Sequence, residues 1–137
     1  MTKKLLFLLV LAVMAVGTAC AKHTVRILAV GNSFSEDAIE QNLHEIAQAA
    51  GVTTVVGNLF IGGCSLERHV ECMNTQVPAY RYRKINASGV MTEAAKCRLD
   101  SALADERWDY ISVQQASHFS GDYSTYQPYL EQLVAYI

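Results

Sequence analysis

Three short stretches hold the side chains that could do chemistry. Gly31-Asn32-Ser33-Phe34 comes first, Gly62-Gly63-Cys64-Ser65 second and Gln114-Gln115-Ala116-Ser117-His118 third. A serine at a helix N-terminus is a candidate nucleophile, because backbone N–H groups and the helix dipole stabilise a developing oxyanion there. A glycine loop around Gly63 adds a backbone N–H, and Gln114, Gln115 or His118 adds a side-chain donor. Ser33 has a second reading. Ser33-Phe34-Ser35-Glu36 fits the S-x-x-E capping box, in which the hydroxyl only closes the helix end. His118 likewise has two readings, a general base, which needs hydrogen-bond reach to Ser33, or an ordinary surface histidine.

The elements around these loops must bring them together. Val25, Ile27, Leu28, Ala29 and Val30 form an apolar run of the kind a strand covered on both faces shows. Gly31-Asn32 breaks the run with residues that tolerate tight-turn backbone angles. Ile39, Leu43, Ile46, Ala47 and Ala50 then recur at helical spacing, and Gly51 stops the helix. Residues 52–60 are β-branched and predict a second strand, and residues 67–75 a short helix. Residues 80–85 and 90–92, around Ala87-Ser88-Gly89, predict a small hairpin insertion, and residues 93–106 a helix. Residues 108–113 predict a third strand, and Ser124 a last helix with Tyr126, Leu130, Leu133, Val134 and Ile137 on its inner stripe. In a parallel sheet the three loops share one edge, the carboxyl end of the strands, where open α/β sheets place their chemistry.

The chain has 137 residues, enough for one domain, and a net charge of −2 with no basic run, which argues against a nucleic-acid partner. Lys3 and Lys4 followed by an apolar stretch over residues 5–16 read as a signal peptide, residues 1–19. Gly17-Thr18-Ala19-Cys20 resembles a bacterial lipobox, which implies lipidation of Cys20, a membrane anchor and a mature chain of residues 20–137. Secretory cleavage at the A-x-A pattern Ala19-Cys20-Ala21 is the alternative. Cys64, Cys72 and Cys97 fit neither zinc-site nor C-x-x-C spacing and read as small buried side chains. His44-Glu45-Ile46-Ala47-Gln48 lacks the second histidine of a zinc-protease helix, which leaves His44 as a solvated residue, and His69 reads as part of a polar helix face. No metal or organic cofactor is expected.

This layout resembles the SGNH hydrolase superfamily, also called GDSL esterases, in an exported lipoprotein branch. There the first block is Gly-Asp-Ser, the second a glycine, the third an asparagine and the last Asp-x-x-His. Gly31-Asn32-Ser33 matches the first block with Asn32 in place of the acid, and Gly63-Cys64-Ser65 matches the second. Trp108-Asp109-Tyr110-Ile111-Ser112-Val113 matches the strand before the third, after which Gln114, Gln115 and His118 stand where the asparagine is expected. The chain contains no Asp-x-x-His. The resemblance implies an α/β, flavodoxin-like three-layer fold with a parallel sheet, C-terminally incomplete, whose missing histidine and acid lie beyond Ile137. It implies Ser33 as catalytic residue, with Gly63, Gln114, Gln115, His118 and Asn32 holding the oxyanion or substrate. The substrate would be a small acyl ester or an acylated glycan. The rival expectation is a non-catalytic surface lipoprotein that binds glycans in the same cleft. A flavodoxin-like phosphate-binding module is disfavoured, because the turn lacks a G-x-G-x-x-G or P-loop pattern.

Overall fold

A computed structural model describes residues 23–137; the signal-peptide reading and Cys20 lie outside the described residues. The described chain forms β1 (Val25–Gly31), α1 (Ser33–Ser35), a π-helical turn (Glu36–Glu40), α2 (Leu43–Ala49), β2 (Thr54–Phe60) and α3 (Leu66–Thr75). It continues through β3 (Tyr80–Ile85), β4 (Met91–Cys97), α4 (Leu99–Asp105), β5 (Tyr110–Val113), two short 3-10 turns and α5 (Tyr129–Tyr136). The strands make one sheet in the order β4-β3-β2-β1-β5. β1 runs parallel to β2 on one side and to β5 on the other, while β3 and β4 extend the β2 side antiparallel. The result is an α/β fold with a mixed, partly parallel sheet, compatible with a flavodoxin-like layout.

Strand alternation sorts the side chains into two faces. Leu28, Val30, Leu59, Tyr80 and Tyr82 join Leu66 and Val70 of α3, Leu99 and Ala102 of α4 and Leu133 of α5 in one apolar core. Thr54 and Asn58 point to the other face, where they meet His44 and Glu40. That second face mixes buried apolar residues, Ala29, Val56 and Ile85, with these polar ones, which lie beneath the Ser33 turn.

Four sequence expectations change. Residues 93–106 are not one helix: the first part is β4, paired with β3 through Arg83↔Glu93 and Lys84↔Thr92, and the helix starts only at Leu99. Sheet pairing and the Arg83–Glu93 ion pair override the helix propensity of the Glu-Ala-Ala-Lys run. The hairpin is therefore part of the main sheet, and the sheet is mixed rather than parallel. The helix after Ser33 is broken into α1, a wide π turn and α2, and its inward residues are Glu40 and His44, whereas Ile46 is 65% exposed. The last helix begins at Tyr129, not Ser124; Leu133 is fully buried, but Val134 and Ile137 are exposed.

One close approach within β2 fixes the Trp108 corner. A Cβ on Gly57 would lie 2.8 Å from Trp108 Cη2 and 2.9 Å from Leu28 Cδ1. The indole is held in place by its own hydrogen bond, Nε1–H to the Ala102 carbonyl at 2.9 Å. Gly57→Ala is expected to lower stability by about 1–3 kcal/mol through overpacking, read as a lower urea midpoint. An unchanged midpoint would show that the ring moves aside freely.

Candidate active site at the carboxyl edge of the sheet

The site is assembled by one side chain. Asn32 follows β1 directly and is 1% exposed. Its Nδ2 donates to the Cys64 carbonyl in the second loop and to the Gln115 carbonyl in the third, both at 3.1 Å. Its Oδ1 accepts the Phe34 N–H at 3.2 Å, which makes Asn32 the cap of α1. The backbone adds to the same junction: the Asn32 N–H donates to Gln114 Oε1 at 3.3 Å, and the Ile61 N–H to the Gly31 carbonyl at 3.2 Å. The three loops read from the sequence thus meet at Asn32.

The capping-box reading of Ser33 fails as a consequence. The helix cap is Asn32, one residue earlier, and Ser33 is the first helical residue, exposed, with no hydrogen bond from its hydroxyl or its N–H to any described residue. Gly63 lies at φ +63°, a left-handed backbone that favours glycine, in a turn closed by the Cys64 N–H to the Ile61 carbonyl. Among the described residues the Gly63 N–H has no acceptor. Gln114 uses its Oε1 on Asn32, and its Nε2 is left without an acceptor among the described residues.

Gln115 and His118 are placed differently. Gln115 Oε1 accepts the Leu66 and Ala116 N–H groups, and its Nε2 donates to the Thr125 carbonyl and hydroxyl. Both ends of that amide are committed, so Gln115 joins loops and offers no free donor. His118 is exposed against the Phe119 ring, 4.1 Å between centroids, and makes no hydrogen bond to Ser33. A cleft of about 370 Å³ opens beside Phe34, over Gln114, Ser117, Ser120 and Tyr126.

A model of the domain of unknown function DUF4886 matches residues 26–137. The chain belongs to the DUF4886 family. Among solved structures, it is similar to a DUF4886 family protein from Bacteroides uniformis, with 55% sequence identity and a TM-score of 0.80 over 83% of this chain. The match covers 44% of that protein, so the present chain spans less than half the length of its DUF4886 relative. No curated protein matches it.

Beneath the DUF4886 turn lie residues that the sequence reading missed. Ser35 is fully buried, and its Oγ sits 2.8 Å from both the Asn32 carbonyl and Asn58 Oδ1. Asn58 Nδ2 donates to Glu40 Oε2 at 2.8 Å, and Glu40 is paired with Arg83 and lies 3.7 Å from Arg81. Arg81 also donates to Glu36 at 2.8 Å and stacks over the Phe60 ring. The signal was present as Glu36 and Glu40 one turn apart, opposite arginines at period two on β3.

Two histidine expectations are corrected by burial. His44 is 3% exposed and bonded through Nδ1 to Thr54 Oγ1 at 3.0 Å, and it is not solvated. His69 is fully buried in α3, with Nδ1 2.9 Å from the Tyr80 hydroxyl and 3.5 Å from Cys64 Sγ. Burial lowers the His69 pKa to about 4 and pushes the Cys64 thiol up to about 12. Cys64 is therefore an inert thiol behind the glycine loop. Cys72 is buried too, Cys97 half-buried, and all three are free.

Substitution of Asn32 tests the assembly. Asn32→Ala is expected to cost about 1–3 kcal/mol for each buried group left unpaired. Asn32→Asp points a carboxylate at two carbonyl oxygens, which raises its folded-state pKa above the unfolded value. The penalty relative to the parent chain is then smallest in acid and grows as pH rises between those two pKa values. Urea midpoints across pH 4–8 read this; a penalty that shrinks with rising pH would contradict the hydrogen-bond assignment.

Proposed function

We propose that this chain is the nucleophile-bearing part of an SGNH-type serine ester hydrolase acting on a small acyl ester, with an acetylated carbohydrate as the substrate class. The observation that supports it best is the set of unpartnered donors around an exposed hydroxyl. Ser33 N–H, Gly63 N–H and Gln114 Nε2 come from three loops tied to one buried asparagine, and none has an acceptor among the described residues. In this reading Ser33 Oγ attacks the ester carbonyl and the carbonyl π electrons move to oxygen. The three donors hold that oxyanion, collapse expels the alcohol, and water then releases the acid from the acyl-serine. Gln114 takes the role that the asparagine has in the superfamily pattern. The Ser33 proton passes to a general base and from it to the departing alcohol; among the described residues none is hydrogen-bonded to the Ser33 hydroxyl. The reading also takes the protein as exported, either anchored in a membrane through a lipidated Cys20 or released into the periplasm or medium. No cofactor enters it.

Asn32 in place of the acid favours the rival reading of a glycan-binding module. Chemical rescue separates the two. A fluorophosphonate should modify Ser33 slowly in the isolated chain, and added imidazole, acting as an external base, should accelerate labelling in a saturable way. Peptide mass spectrometry should place the adduct on Ser33, and Ser33→Ala should abolish it. Since Ser33 caps nothing, the variant should keep its stability within about 0.5 kcal/mol, as exposed substitutions generally do. A folded chain that never labels, with or without imidazole, would contradict the hydrolase reading and leave the binding module.

A further inference from the structure

The polar layer on the second face of the sheet ends at the Ser33 turn. Glu40 is 4% exposed, although nothing about a helix requires a carboxylate to face inward. The π turn over Glu36–Glu40 widens the backbone and sets Glu40 over β2, between Asn58 and Arg83. Because the carboxylate can only accept, it fixes the Asn58 amide with its nitrogen toward Glu40 and its oxygen toward Ser35. The Ser35 hydroxyl is thereby committed as a donor, its one proton shared between Asn58 Oδ1 and the Asn32 carbonyl, each 2.8 Å away. The Asn32 carbonyl also takes the Ser35 N–H at 3.0 Å and the Glu36 N–H at 3.4 Å.

That carbonyl belongs to the peptide that carries the Ser33 N–H. In a trans peptide the two groups point in opposite directions, and the plane is rigid. Holding the carbonyl inward therefore aims the N–H outward, to the carboxyl edge of the sheet. Gly31 makes room for the arrangement: a Cβ there would lie 2.5 Å from Ser35 Oγ and 2.6 Å from Gln114 Oε1. The relay and the third loop thus close on the same point from two sides.

We infer that Glu40, Asn58 and Ser35 form a positioning relay that orients the Asn32–Ser33 peptide and so aims the Ser33 N–H at the oxyanion. The inference rests on the reading of Ser33 as nucleophile. Its parts are buried and do not touch substrate; they act through the peptide. Arg83 anchors the far end and bridges Glu40 to Glu93 on β4, which carries the relay from the turn to the outer hairpin.

The test compares the parent chain with Ser35→Ala and Glu40→Gln. Residual dipolar couplings measure the Ser33 N–H direction against the frame of the sheet. In the parent chain the coupling should fit that frame; in both variants it should depart from it, while the amides of β1 and β2 still fit. In imidazole-rescued fluorophosphonate labelling, the maximal rate should fall at least tenfold, with the half-saturating probe concentration within twofold of the parent value. A purely structural role would lower the melting temperature without that split. Variants that fold, keep the Ser33 coupling and label at the parent rate would overturn the relay while leaving the nucleophile in place. A changed coupling with an unchanged maximal rate would also overturn it. A parent chain that never labels removes the nucleophile reading, and the relay's catalytic role with it.

Discussion

The geometry of the loop edge depends on a single carboxamide. Three chain segments far apart in sequence have to meet where β1, β2 and β5 end, and each brings backbone polar groups that lose water there. Asn32 satisfies two of the carbonyls and one N–H at once, which needs two donors and an acceptor on one planar group. An aspartate has acceptors only and would turn both carbonyls into repulsions. The asparagine in the Gly31-Asn32-Ser33 block is thus the residue type this junction requires, whatever chemistry the neighbouring serine performs.

The two faces of the sheet divide the work. One face carries the apolar core that supplies most of the burial, with Tyr80 and His69 as its buried polar members. The other sets a carboxylate, an amide and a hydroxyl, bonded to one another, among the buried apolar residues Ala29, Val56 and Ile85. Buried ion networks are weak sources of stability. Here the network lies under the Ser33 turn, whose direction the proposed oxyanion site depends on.

Much of this was legible in the sequence. β1, β2, β5 and α3 follow from apolar runs and from the Gly and Pro residues between them, and the three loops that meet at the edge follow from the parallel pairing. What escaped has specific causes. The Glu-Ala-Ala-Lys run of β4 has helix propensity and became a strand only because its pairing with β3 carries the expected hairpin on past residue 92. His44 reads as solvated because titratable residues usually are, yet it is held inside by its hydrogen bond to Thr54. The helix cap moved from Ser33 to Asn32 because two residue types able to cap stood side by side, and only the tertiary bonds of Asn32 decide between them.

In the proposed hydrolase the three loops present one oxyanion site around Ser33. The direct measurement is a crystal structure of the phosphonylated chain. The expected result is a bond from Ser33 Oγ to phosphorus and one phosphonyl oxygen within hydrogen-bond distance of the Ser33 N–H, the Gly63 N–H and Gln114 Nε2 together. A Ser33 adduct whose oxygens face solvent, out of reach of Gly63 and Gln114, would contradict it.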